Sequence, residues 1–269
     1  MTNDPVGDRC KAFEMAEAGR KAMPGLPLLA RLDGRAFHTF TRGLGRPFDE
    51  GMIAAMGETT AALVEEFHPS IGYTQSDEIT LAWYVPPERA TVTQLPFDGR
   101  FQKLTSVLAG FASAQFTRLL PKHLPSKVEH LPMFDCRVWQ VPSLADAVEV
   151  FLWREADAVK NSITMAAGAY YSHRQLHGVG SSQKHELLHA KGVSWNDYPA
   201  AFKRGAYYQR RTFEMELAGD ELERIPEQHR PAPGTKVLRS RVEALQLEPL
   251  SRIPDAVTVL FPRCAEVSA

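Results

Sequence analysis

The stretch Gly72–Tyr84 constrains this chain most, because it reads as one β-hairpin with acid at its tip. Tyr73, Thr74, Ile79, Thr80, Leu81 and Trp83 favour strands, and Ser76-Asp77-Glu78 interrupts them with turn chemistry. Adjacent carboxylates repel, so such a tip costs folding free energy unless a cation neutralises it, and hard divalent ions seek carboxylate oxygens. One turn cannot hold a metal alone. A second acidic strand end lies at Leu28–Arg35, where an apolar run stops at Asp33-Gly34. Two strand ends tipped with Asp33 and Asp77 suggest a site for Mg2+ and a nucleoside triphosphate.

The surrounding pattern supplies a fold for that site. A helix is expected over residues 8–23, and a short one follows Asp33-Gly34 at Arg35–Thr41, its first N–H groups facing any anion near Gly34. An amphipathic helix over 50–67 precedes the hairpin, a further helix spans 101–120, and Met133–Val141 reads as a strand. The order β-α-β-β-α-β is the ferredoxin-like arrangement, an α/β (α+β) palm in which the first strand end and the central hairpin lie side by side. Ser143 opens a long helical region reaching about residue 173, and another helix spans about 182–191. The expected domains are a palm over 1–142 and a helical extension with tail over 143–269. Residues 219–234 read as a charged, Pro-rich excursion and Ala256–Phe261 as a short strand.

Composition excludes some classes. With 269 residues the chain has room for one large domain or a core with an extension. Its net charge of −1 provides no bulk attraction for nucleic acid, so any RNA contact must come from local basic patches. Cys10, Cys136 and Cys264 stand far apart with no metal-ligand spacing, which fits a reducing cytoplasm. Neither a signal peptide nor a membrane span is expected.

Five motifs then stand in order: Arg31–His38, Gln75–Glu78, Phe134–Val138, Trp153-Arg154 and Phe202–Gly205. Over roughly residues 10–210 the chain resembles the tRNA-His guanylyltransferase family, including its guanylyltransferase-like branch. That resemblance implies a palm that adds nucleotides to the 5′ end of tRNA in the 3′→5′ direction. A nucleoside triphosphate, commonly ATP, activates the 5′ phosphate; the 3′-hydroxyl of an incoming GTP or other triphosphate then attacks it. Two Mg2+ ions suit both displacements at phosphorus. Carried over by motif, Asp33, the Gly34 carbonyl and Asp77 hold metal, and Glu78 assists them in catalysis. Nucleotide contacts are implied for Arg31, Gly34, Arg35, Ala36, Phe37, His38, Arg46, Asp49, Ser76 and Asn161, and a homotetramer is implied for the assembly. Arg46-Pro47 stands where relatives commonly have Lys-Pro, which keeps the charge and adds a bidentate fork. Val159–Met165 keeps only the first Asn of the motif that marks untemplated G addition, which favours templated repair of 5′-truncated tRNA.

Each residue also has a plainer reading. Asp33 and Asp77 serve equally as turn acids, Ser76 as a turn hydroxyl, and His38 as a helix residue among Phe37 and Phe40. Asp135 and Arg137, two apart on a strand, read as a structural ion pair, and Trp153 as a core residue. Arg154 and Asn161 are open between RNA or nucleotide contact and helix-surface pairing. Lys203-Arg204 puts two cations before a glycine, and with His173, Arg174, His177, Lys184, Arg210 and Arg211 forms a basic face for tRNA or mere scattered charge. Two alternatives remain for the whole protein: a tRNA-binding or sensing protein with an inactive palm, and another palm reaction such as nucleotide cyclisation.

Overall fold

The computed structural model describes residues 4–89, 94–216, 225–231 and 235–262. The Pro-rich excursion lies largely, and Cys264 wholly, outside the described residues. Six strands form one antiparallel sheet: β1 Leu28–Gly34, β2 Ile71–Gln75, β3 Glu78–Trp83, β4 Phe134–Gln140, β5 Ala206–Glu216 and β6 Lys236–Leu245, in the order β4-β1-β3-β2-β5-β6. The first four reproduce the expected ferredoxin-like order. The register sets Asp33 opposite both Glu78 and Asp135, so the acidic strand ends converge at one edge of the sheet.

Helices cover both faces. After α1 Pro5–Ala18 and the short α2 Phe37–Phe40, α3 Glu50–Phe67 and α4 Phe101–His123 bury Met56, Leu63, Leu108 and Phe116 against Leu28, Ala30 and Leu32. On the opposite face α5 Leu144–Gly168 packs Ala147, Val148 and Phe151 against Leu29, Ile71, Tyr73 and Ala82. This double coverage explains why β1 begins as a continuous apolar run. Alternation then sends Arg31 and Asp33 to the α5 face, where the strand reaches its polar end. Burial of the apolar side chains is the main favourable term, about 25 cal/mol for each Å² removed from water.

Several boundaries and one element differ from expectation. Helix α1 stops at Ala18, where Gly19 follows, and α5 stops at Gly168 rather than near residue 173. Three short helices follow: α6 His173–Leu176, α7 Ser181–His189 and α8 Ala200–Arg204. Ala256–Phe261 is not a strand; Ala256–Leu260 is a helix, α9. Its β-branched run suits a strand, but the Asp255 side chain caps the Thr258 N–H at 3.0 Å. One helical turn then puts Ala256 and Leu260 together in the core. Trp153, expected in the core, is 58% exposed, because on α5 it lies nearly opposite the buried Phe151 and Glu155. Residues 143–269 also hold more strand than their pattern suggests: β5 pairs with β2 through Gly72, Tyr73 and Thr74, then continues as a ribbon with β6.

Candidate active site at the acidic sheet edge

Local chain chemistry builds the acidic edge. Gln75 pairs with Glu78, leaving Ser76-Asp77 as a two-residue turn with Ser76 at φ 51°. A positive φ is tolerated there because the turn residues are short and polar. Gly34 donates its N–H to the Asp77 carbonyl at 3.0 Å, which ties the turn directly to the end of β1. Gly34 must lack a side chain: a Cβ would stand 2.4 Å from the Phe37 ring. Phe37 itself is buried and packs on Phe40, Phe116 and Phe134, so only its backbone can serve a ligand at this edge.

The two turn carboxylates live in different surroundings. Burial pushes the Asp77 carboxyl above its usual range; the Ser76 hydroxyl, donating at 3.0 Å, opposes that rise, and the Asp33 charge adds to it. Among the described residues no ion pair reaches Asp77. Burial also raises Glu78, but here Arg154 and Arg31 pull it down. Arg154 Nη2 donates to Glu78 Oε2 at 2.7 Å, its Nε approaches Oε1 at 2.6 Å, and Arg31 Nε lies 3.8 Å from Oε2. Glu78 is thus neutralised by protein, whereas Asp77 is not. Asp33 Oδ2 lies 4.0 Å from Arg137, which also reaches Asp135 at 3.5 Å, the structural pairing expected for that strand.

Does this edge fit a divalent metal? Among the described residues no three His, Cys, Asp or Glu side chains gather into a metal site. Mg2+ does not require that, because it commonly takes one or two carboxylates and completes its shell with water and substrate phosphates. Asp33 and the unneutralised Asp77, joined through Gly34, provide that donor set.

A cavity of about 540 Å³ adjoins the edge. His38, Arg46, Asp49, Ser76, Asp77 and Asn161, all singled out from the sequence, line it together with Phe37. Asp49 acts structurally: it caps α3 by accepting from Met52 N at 3.0 Å and clamps the loop by accepting from Gly45 N at 2.9 Å. Asn161 donates to Asp157 at 3.2 Å, and Asp157 in turn accepts from Arg154 at 3.3 Å, so a polar chain runs along α5 from Glu78 to the cavity. Arg35 and Ala36 are exposed at the start of α2, which leaves its first N–H groups without helical partners. Ala36 adopts φ 56°, a left-handed conformation that turns the chain from β1 into α2.

The residues expected to meet RNA are scattered by comparison. Arg154 is 7% exposed and held by Glu78 of β3, with Asp157 one turn along α5 as a second partner, so it is a buried cross-element clamp rather than the helix-surface pairing or RNA contact that its sequence left open. Lys203 reaches the Asn196 carbonyl and stands over the Trp195 ring at 5.3 Å, and Arg204 donates to Leu247 O at 3.4 Å. His173, Arg174 and His177 are exposed on and just after α6. Sequence reasoning missed the cavity's apolar floor, where Phe48 stacks on Phe202 at 4.9 Å beside Met52, Ile53, Ala158 and Met165. Its parts come from three separate segments, and only Phe202 carried a signal, as the first residue of a motif.

Comparison with known proteins agrees with this architecture. The family model described as tRNAHis guanylyltransferase matches residues 7–142. A bacterial tRNA(His) guanylyltransferase-like protein solved with ATP is 29% identical, has a TM-score of 0.75 and covers 96% of this chain and 99% of its own. The corresponding structure with GTP gives 28% identity, TM-score 0.73 and the same coverage. The tRNA(His) guanylyltransferase of Saccharomyces cerevisiae is 26% identical over 207 residues, 70% of this chain and 84% of its own. An uncharacterised protein of Acanthamoeba polyphaga mimivirus is 29% identical over 226 residues, 76% of this chain and 77% of its own. On the strength of the model spanning half its length, this chain belongs to the tRNAHis guanylyltransferase family.

Proposed function

We propose that this protein is a Mg2+-dependent nucleotidyltransferase that extends the 5′ end of tRNA in the 3′→5′ direction. Nucleotidyl transfer to tRNA is the family's chemistry, and ATP and GTP are the nucleotides named with its solved relatives. The observation that carries the reading is the pair Asp33 and Asp77, held together by the Gly34–Asp77 backbone hydrogen bond beside a 540 Å³ cavity. Asp33, the Gly34 carbonyl and Asp77 would hold the metal, which supplies Lewis-acid stabilisation of charge on phosphate oxygens.

The chain's own groups do the positioning. Arg46 and His38 at the cavity present cationic and hydrogen-bonding groups to a triphosphate, and Ser76 adds a hydroxyl. Arg46 offers a planar fork suited to two phosphate oxygens. The apolar floor of Phe48 and Phe202 accepts a base and keeps water from it. Arg154 holds Glu78 in place and thereby stiffens the turn that carries Asp77. Glu78 is therefore a positioning group in this reading, while Asp33 and Asp77 bear the chemistry.

We assign templated repair in preference to untemplated G addition, since Val159–Met165 retains only Asn161 of the motif associated with the latter. We also propose a homotetramer working in the cytoplasm. Large exposed apolar side chains, including Phe13 and Leu131, favour an assembly that covers them, and free thiols at Cys10 and Cys136 suit a reducing compartment. The test uses a tRNA lacking its first 5′ nucleotide, bearing mono- or triphosphate, with Mg2+, ATP and each nucleoside triphosphate singly. Extension only by the nucleotide complementary to the acceptor strand is expected. Addition of G to full-length tRNA-His whatever the opposing base would assign the identity-setting activity, and RNA binding with no product would favour a sensing protein.

A further inference from the structure

The β5–β6 ribbon carries a charge pattern that the acidic edge does not explain. Beyond Tyr208 it leaves β2 and continues as two strands, paired from Gln209↔Glu243 to Glu216↔Lys236. Side chains alternate, so Arg211, Phe213 and Met215 share the face of Tyr207, with Arg241, Arg239 and Val237 directly across. That face holds three arginines and one acid, Glu243, which is taken by Arg241 at 2.6 Å. The reverse face is balanced: Arg210 pairs with Glu65 at 2.7 Å, Lys236 with Glu214 at 3.5 Å, and Glu216 lies beside them. Among the described residues Arg211 and Arg239 make no side-chain hydrogen bond or ion pair.

Such an arrangement costs folding free energy. Like charges directly opposite on neighbouring strands repel, and Arg211 stands opposite Arg241 with Arg239 one step along. Overall basicity does not account for it, since the chain's net charge is −1. Three guanidinium groups in a row, with the Arg241 guanidinium 5.0 Å from the Phe213 ring centroid, match a polyanion with closely spaced phosphates. The geometry also says which polyanion. Ala206 pairs with Thr74 beside the catalytic turn, and the arginines sit five to seven residues further along, about 17–23 Å at 3.3 Å per residue. A ligand with its reacting end at Asp77 must be long and regular to reach them.

We propose that this arginine face of the ribbon docks the backbone of the same RNA whose 5′ end enters the acidic edge, gripping duplex phosphates away from the reaction. The proposal rests on the RNA-extension reading of the acidic edge. It predicts binding energy without base readout, so it sets RNA length and register rather than nucleotide choice.

The test combines Arg211→Gln, Arg239→Gln and Arg241→Gln in the full-length protein and measures RNA binding without nucleotide across a salt series. We expect affinity for full-length tRNA to fall tenfold or more. The log–log salt slope should become shallower by about 2–3, near 0.9 for each phosphate no longer neutralised. KM for ATP and kcat at saturating RNA should hold, and the triple Lys variant should keep most of the affinity. An acceptor-stem fragment too short to reach the ribbon should bind wild type and variant alike. Arg239→Glu alone, at an exposed position, should shift the slope the same way and covers the case where the triple variant misfolds. Unchanged affinity and slope with folded protein would overturn the proposal, as would a fall in oligomeric mass with RNA affinity intact, which would make the ribbon a subunit contact. Wild type that binds RNA but transfers nothing would overturn the extension reading instead, while the slope comparison still decides the ribbon.

Discussion

Asp77 and Glu78 are neighbours in sequence with opposite electrostatic roles. Glu78 is spent on Arg154 and Arg31, so removing it leaves the buried Arg154 guanidinium with only the part-exposed Asp157 as partner. Glu78→Ala should destabilise the fold by about 3–5 kcal/mol, read by denaturant titration, because an uncompensated buried charge costs more than the ion pair itself supplies. Asp77 behaves in reverse. Burial raises its pKa, so the neutral acid suits the metal-free fold: that stability is fully present below the ordinary carboxylate pKa and is lost as pH rises through the raised one. Asp77→Asn should therefore melt higher than wild type at neutral pH in chelator, with the gap closing in acid. If Asp77 holds the proposed Mg2+, the same variant should lose transfer activity together with any rise in melting temperature that Mg2+ produces in wild type. A wild-type melting temperature indifferent to Mg2+ would remove Asp77 from the metal site.

At the scale of elements, the cavity depends on two small devices. Asp49 caps α3 with one oxygen and holds the Gly45 loop with the other. Asp49→Ala should cost about 1–2 kcal/mol of stability. It should also raise KM for nucleotide, because Arg46 rides on the released loop. Asp49→Asn keeps only one acceptor oxygen, so it should recover either the cap or the loop hold but not both. Gly205 sits between α8 and β5 at φ 79°, where a Cβ would stand 2.5 Å from the Thr74 carbonyl. Gly205→Ala should cost about 1–3 kcal/mol and loosen the β2–β5 pairing, visible as faster amide exchange at Tyr207 and Tyr208.

Across the whole molecule, the C-terminal segment closes the α5 side of the sheet. Buried Glu155 accepts from Tyr207 Oη at 3.0 Å and from Leu250 N at 2.9 Å, and Gln209 Nε2 donates to the Ser70 and Leu260 carbonyls. Burial in the same cluster pushes the Tyr207 phenol far above its ordinary value, so it stays neutral and keeps donating. Glu155→Ala should lower the melting temperature by an amount equivalent to roughly 1.5–3 kcal/mol, since hydrogen bonds to a charged acceptor are removed from a dry interior. Assembly is the other whole-molecule property: light scattering should return four times the chain mass, and a monomeric mass at micromolar concentration would refute the tetramer.

Much of this is legible in one dimension because the relevant physics is local. Strand alternation, the acidic turn within Ser76-Asp77-Glu78 and the β-α-β-β-α-β order depend on neighbours a few residues apart, and together they set Asp33 beside Asp77. What only tertiary structure decided concerns residues whose partners lie far along the chain. Arg154 became a buried clamp for a carboxylate 76 positions away. Trp153 turned outward because Arg154 and Glu155 had claimed the inner face. The Val257–Val259 run became helix because Leu260 had a pocket to fill, and Arg211 met Arg241 because β6 returns along β5. Local free energies select elements; long-range packing and charge compensation assign each side chain its partner, and no spacing rule in the sequence encodes that choice.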